Sequence, residues 1–514
     1  MRTLWIFIVL LFSLRGSHSA ETRRPEDFVE QMRKELRPKL PELIKKLESP
    51  NPNERNGAAL SLGLLGPEAK AAVPGLLKTL KDSSGNVAWQ SAGALGAIDP
   101  GNKEVVAALL DSAKEGNRGA AIELGRIKPV VKEAVPLLLK LLESADNDHY
   151  ATALGSIGTD AVPSLLEALK SPNKNLKRGA LIALEGVRPP ASEAVPALLI
   201  LANDKDFWPS AVSALGVAGC DSEEASKFLL AMLKGNDAFK KLRAAEAIGN
   251  LHVGVAEAIP LLIEMLKSDN QDWTIKASYS LGHFGDPAIE ELIQLSSNAD
   301  ARTRANAIYA LGAAFKHIPK VIPPIVAALA DKDAAVRRMA ARAFYFSPSP
   351  IPEAIVPLSK LLNEDDEDTR LQAVEALERV APGKTAIQMF FLSLDDKSLK
   401  VRASAVHALN RLGADAVPDL VKLLKDSNPG RRIAALEALQ SSDGRAALPE
   451  ILGAINDLDA KVRLQAVYVL ISFKDENGVA DAVERATHDA DPNVSEAAKE
   501  MLKLIHTTPQ RREK

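Results

Sequence analysis

Residues Asp395–Asp426 read DDKSLKVRASAVHALNRLGADAVPDLVKLLKD. Val401, Ala405, Val406, Ala408, Leu409 and Leu412 recur at helical spacing and form one apolar stripe, which predicts a first amphipathic helix. Gly413 is placed to end it, because a helix C-terminus commonly needs a left-handed residue, which glycine adopts at little cost. Ala416-Val417-Pro418 then opens a second helix, since proline's missing N–H would be unsatisfied in a first turn anyway. That helix carries Leu420, Val421, Leu423 and Leu424. Asp426 and Ser427 close the unit, and Pro429 is read as a block to further helix.

Working outward, the apolar-Pro marker recurs as Leu40-Pro41, Val73-Pro74, Val135-Pro136, Val162-Pro163, Val195-Pro196, Ile259-Pro260, Ile322-Pro323, Val356-Pro357, Val417-Pro418 and Leu448-Pro449. Steps of about 31 residues, or twice that, separate the prolines. Where a step is double, the missing markers fall near Val105, Lys227, Ala288 and Ile387, and a last pair runs from Gly478 to Ile505. A helical-pair period in this range is the mark of a solenoid, each unit covering its neighbour's apolar face.

The composition agrees. The chain has 514 residues, 46% hydrophobic, 25% charged and only 4% aromatic. A core of Ala, Leu, Val and Ile lets helices approach closely. Lys+Arg number 64 and Asp+Glu 67, so the formal charge is −3, without the basic excess that nucleic-acid backbone binding needs. Cys220 is the one cysteine and is read as a small buried or half-buried filler. Met1-Arg2-Thr3, an apolar run Leu4–Leu14 and the small polar Gly16–Ala20 have the order of a secretory signal peptide. The expected organisation is a signal peptide 1–20, a capping helix within 21–39 with Phe28, Val29, Met32 and Leu36 on one face, a repeat array 40–505, and a disordered tail 506–514. The expected location is secreted or periplasmic.

Val336-Arg337, Val401-Arg402 and Val462-Arg463 each follow an Asp-containing turn and precede an Ala-rich helix. They resemble HEAT repeats, more narrowly the short bacterial HEAT-like repeats named after phycobilisome lyases, over residues 40–505. The resemblance implies an all-α, right-handed α-solenoid of about fifteen helical pairs. The tetratricopeptide pattern is absent, and three-helix armadillo units would be longer. Asp331/Arg337, Asp395/Arg402 and Asp457/Arg463 recur at one register, which predicts a ladder linking neighbouring repeats. Each such surface pair contributes about 0.2–1 kcal/mol.

Enzyme signals fail one by one. The HEAT-like deoxyhypusine hydroxylases hold iron through His-Glu pairs, and none of the eight histidines here precedes glutamate. No H-E-x-x-H occurs. Gly383-Lys384-Thr385 lacks the first glycine of a phosphate loop, because position 378 is Glu378. The acidic run Glu364–Asp368 lacks a calcium loop's glycine and reads as a solvated turn before a helix. The resemblance supplies no catalytic residue, cofactor or metal ligand.

In a HEAT-like stack the Ala-rich helices line the concave side. Aligning them on pairs such as Ala408-Leu409, the preceding position reads Leu60, Gly93, Ile122, Thr152, Ile182 and Ser213, then Glu246, Tyr279, Tyr309, Arg342, Glu375, His407, Glu437 and Tyr468. One turn away stand Lys276, His283, Arg338, Arg379 and Arg411. Tyr and Arg are favoured at binding hot spots. The expected partner-binding residues are therefore Lys276, Tyr279, His283, Tyr309, Arg338, Arg342, Glu375, Arg379, His407, Arg411 and Tyr468. The expected function is a non-enzymatic scaffold for a protein or peptide partner. The alternatives are a HEAT-like lyase or oxidoreductase, or a polysaccharide-binding module.

Overall fold

The computed structural model describes residues 25–144, 148–315, 319–381, 383–440 and 442–507. The Leu4–Leu14 run and residues 508–514 lie outside these. The final helix is Pro492–Thr507, so positions 506 and 507, read as tail from sequence, belong to it. Every regular element among the described residues is helical, and none is long and apolar enough to cross a membrane.

Among the described residues, fifteen helices of the proline type, or standing in their place, alternate with fifteen Ala-rich helices. Helices occupy the four positions that lack the marker, at Lys103–Lys114, Glu223–Lys234, Asp286–Leu295 and Ile387–Ser393. In the stretch that opened the reading, Leu399–Arg411 and Val417–Leu423 are helical, and Gly413 takes a φ of +57°. Pro429 does the opposite of what was expected. It is the first residue of helix Pro429–Ala438, capped by the Asn428 side chain, because a residue with no N–H to satisfy costs nothing at that position. Pro260 and Pro357 depart in the other direction and lie inside helices Val255–Leu266 and Pro352–Leu361. In other repeats a short 3-10 turn precedes the Val-Pro step, as at Thr159–Ala161. In these two the preceding residues are already α-helical. Asn or Asp side chains open most Ala-rich helices, for instance Asn51, Asn173, Asp333 and Asp366, each accepting from a backbone N–H of the first turn.

The chain divides into two compact units, Thr22–Ala288 and Ile289–Lys514. Each is joined by a different device. In the first, glycine follows the aligned apolar pair at one register in nearly every repeat. A Cβ on Gly125 would lie 2.4 Å from the Ala153 carbonyl oxygen, and one on Gly216 would lie 2.6 Å from that of Ala247. Only glycine allows adjacent Ala-rich helices so near. Helix Pro25–Leu36 joins the first pair through Arg33 Nε, 2.9 Å from the Leu64 carbonyl oxygen, and the adjoining Arg37 forks onto Glu68 at 2.5 and 2.8 Å.

In the second unit arginine does the joining. Arg370 donates from Nη1 to the carbonyls of Glu364 and Asp365 in its own turn, both at 2.8 Å. It reaches forward with Nε and Nη2 to both oxygens of Asp396, at 2.6 and 2.9 Å. The two side chains are 4% and 9% exposed. Arg304–Asp331, Arg337–Glu364, Arg432–Asp457 and Arg463–Asp489 repeat the pattern. The first unit has the same rung at Arg55–Asp82. A ladder was expected, but not with this pairing. Arg337 bonds the backbone oxygen of Asp331, whose carboxylate belongs to Arg304 of the preceding repeat. Arg402 holds only the carbonyls of Asp396 and Lys397, while Asp395 is taken by Arg431. The rungs are also largely buried rather than surface pairs. Glu364, read as part of a solvated turn, is one of them, and Asp366 caps the next helix.

Candidate functional site

The aligned positions of the Ala-rich helices do not all point outward. In the first unit Ile122 is buried and Thr152 is exposed. The expected residues of this unit, Lys276, Tyr279 and His283, come together on helix Gln271–His283. With Glu246 and Asn250 they surround a depression of about 170 Å³. Lys276 Nζ is 2.8 Å from Glu246 Oε1, and Arg243 approaches the same carboxylate at 3.5 Å. Tyr279 is 39% exposed, and its carbonyl lies 2.7 Å from His283 Nδ1. The floor is rigid, since the Ser280 hydroxyl donates to the Ala245 carbonyl oxygen at 2.5 Å and Gly249 allows the two helices to touch there. Glu185 extends this row toward the N-terminus. It fills the register that glycine holds in neighbouring repeats. Burial lifts its carboxyl above the ordinary range against a hydrogen bond from Ser213, and the nearby Glu246 carboxylate adds to the lift.

In the second unit Tyr309 is corrected. It is 8% exposed, not an open surface residue. Its ring meets Phe346 edge-on at 5.6 Å, and the Arg342 guanidinium covers it at 5.2 Å. The cause is Phe346, one turn along the next Ala-rich segment, whose bulk closes over the tyrosine. Arg342 stays exposed. Arg379 lies 4.5 Å over Tyr345, which is 62% exposed. Arg338 reaches Asp366 at 3.2 Å, Glu375 accepts from Gln372 at 2.9 Å, and Arg411 and His407 approach Glu378 at 2.9 and 3.7 Å. Tyr468 is 44% exposed. These side chains thus already contact acids or rings of the same chain.

Tyr345 and Glu378 were missed by the alignment. They stand at the register that glycine occupies in the first unit, and the end of that glycine column after Gly312 was the available signal. A second omission is a cluster at two successive inter-repeat loops. Cys220, Asp221 and His252 bring a sulfur, a carboxylate oxygen and a ring nitrogen within 4.8 Å of one another. His252 Nδ1 is 2.9 Å from Asp221, and its backbone N–H donates to the Cys220 carbonyl oxygen at 2.7 Å. Burial, then Asp221, push the Cys220 thiol upward, which makes it a poor nucleophile. It is buried, as the sequence implied.

The architecture defines an all-α repeat protein of stacked helical pairs. The chain belongs to the HEAT-repeat family, whose profile matches residues 40–119, 162–249, 289–378, 355–440 and 387–457. Similar solved structures include Kap95p bound to RanGDP, with 13% identity, 91% of this chain and 76% of that one covered, and a TM-score of 0.38. Importin beta shows 13% identity, 92% and 80% coverage and a TM-score of 0.37. The Escherichia coli protein YibA shows 20% identity, 54% and 92% coverage and a TM-score of 0.28. Among curated proteins none matches. At these scores nothing about partners passes from those structures to this chain.

Proposed function

We propose that this chain is an exported, non-enzymatic scaffold that holds a protein or peptide segment along its Ala-rich layer. Adjacent Ala-rich helices approach closely at the glycine register, which supports reading that layer as the inner face of the stack. The observation that carries the reading is the preordered group Glu246, Lys276, Tyr279 and His283 around one depression. Tyrosine presents a ring with a polar tip, and the fixed acid–base pair beside it supplies both donors and acceptors, as hot-spot anchors do. In the second unit Arg342, Tyr345 and Arg379 continue the same chemistry, an aromatic and two guanidinium forks exposed together.

The test is site-specific photo-crosslinking in the native host. A photoreactive residue at position 279 or 342 should capture one discrete partner. The same residue at position 200, exposed on the opposite layer, should not. Equal capture at all three positions, or capture only at 200, refutes the placement. Sequencing of the mature protein should begin near Ala20 or Glu21, and an intact Met1 in the soluble cytosolic fraction would refute export.

A further inference from the structure

The first unit has the arginine rung Arg55–Asp82, and in the next repeat the equivalent position opens onto a cavity. Arg55 makes a complete rung. It holds the carbonyls of Ser49 and Pro50 with Nη1, at 2.8 and 3.1 Å, and forks onto Asp82 at 2.6 and 2.8 Å. Arg337 does the same with Asp331, Lys332 and Glu364. In both, the carbonyls come six and five residues before the arginine, and the acid 27 residues after it. In the repeat that follows Arg55 this register holds Ala88. Buried Val87 stands where Val336 stands, although the Ser84 side chain does not cap this helix as Asp333 caps the other.

The acceptors that an arginine at 88 would use are still present. The carbonyls of Asp82 and Ser83, six and five residues earlier, accept no hydrogen bond from the described residues. Glu115, 27 residues later, is exposed and has no ion-pair partner among them. Asp82, Ala88, Trp89 and Glu115 line one cavity of about 460 Å³. Trp89 forms a wall, held edge-on against His149 at 5.5 Å. A flat ring beside a carboxylate favours a planar guanidinium over an ammonium, because the guanidinium both stacks and forks. Within this same protein Arg342 and Arg379 stack on tyrosines in that way.

We infer that this cavity receives an arginine side chain of a partner segment, which supplies in trans the rung that Ala88 cannot make. The charges facing it refine the partner. Asp82 is already neutralised by Arg55, leaving Glu115 to pair with the incoming guanidinium. Lys81 and Arg118, both exposed, stand at the rim and would repel a bare cation. They fit acidic residues on either side of the arginine. The occupant is therefore an arginine flanked by acids, docked at the inter-repeat turns. This surface is separate from the Tyr279 row and does not depend on it.

The experiment is isothermal titration of the full chain with the peptide acetyl-Glu-Arg-Glu-amide, against the same peptide carrying citrulline or lysine. Citrulline keeps the shape and loses the charge. Saturable binding of the arginine peptide is expected, weakened about tenfold or more by citrulline, the loss set by one charge-assisted fork. Glu115→Gln should weaken the arginine peptide by a similar factor. Ala88→Arg should abolish binding and raise the melting temperature, since it supplies the rung in cis. Absence of binding, equal binding of arginine and citrulline peptides, or binding retained by a folded Ala88→Arg variant overturns the inference. If Ala88→Arg fails to fold, Glu115→Gln and the citrulline peptide decide it alone.

Discussion

Replacing Arg370 by alanine tests whether the second unit is held by its ladder. The side chain makes four hydrogen bonds, two to carbonyls at 2.8 Å and two to Asp396 at 2.6 and 2.9 Å. Truncation leaves a carboxylate only 9% exposed without its counter-charge. Bonds to charged groups contribute roughly 1.5–3 kcal/mol, and breaking one partner of a buried pair costs about 3–5 kcal/mol. The expected loss is therefore about 3 kcal/mol. Most of it comes from the stranded Asp396, so removing that charge as well should restore part of the stability. Asp396→Asn keeps an acceptor for the Ser398 N–H, which lies 2.7 Å from Asp396 Oδ1. The double variant Arg370→Met with Asp396→Asn should lose only about half as much, because replacing both members of a buried pair is far milder than removing one. Stability in a repeat stack is local, so the assay is native-state hydrogen exchange on helices Glu367–Val380 and Leu399–Arg411. A loss below about 1 kcal/mol for Arg370→Ala, or a double variant as damaged as the single, refutes the reasoning.

Four further outcomes follow from the same geometry. Gly216→Val should destabilise the first unit by about 1–3 kcal/mol through overpacking against Ala247. Gly93→Ala, with nothing within 4 Å of the new Cβ, should be neutral or stabilising in thermal melts. Tyr309→Ala should cost about 3 kcal/mol as a loss of core, whereas Tyr279→Ala should leave the melting temperature nearly unchanged and weaken only partner binding. The guanidinium hydrogen bonds from Arg55, Arg304 and Arg463 hold Asp82, Asp331 and Asp489 below the usual carboxylate range. A depressed folded pKa gives stability that is full above the unfolded value, about 4, and is lost as pH falls through the folded one. Denaturant titrations should show little change from pH 7 to 5 and a steep loss below about 4, a loss that Asp331→Asn should reduce.

The candidate site was legible only in part. One aligned column located Tyr279, Arg342 and Tyr468 correctly as open positions. It failed at Tyr309, because exposure there depends on Phe346 in the next repeat rather than on Tyr309's place in its own helix. The recurring Asp/Arg register, read separately, gave the wrong ladder partners. The interval from Asp331 to Arg337 is short in sequence, but in space Arg337 turns its fork to Glu364. Cys220, Asp221 and His252 meet because consecutive loops stack, and no local motif spans the 31 residues from Asp221 to His252.

By itself the sequence determined the helical period, the number of pairs, the glycine stop at Gly413 and the positions of most helix starts. Those depend on contacts within a few residues, where spacing and the chemistry of Pro and Gly suffice. Tertiary structure decided which repeat partner each arginine takes, which aligned side chains remain open, and why Ala88 leaves a cavity while Arg337 fills one. Each of those depends on what the neighbouring repeat places opposite the residue, some 25 to 37 residues away along the chain.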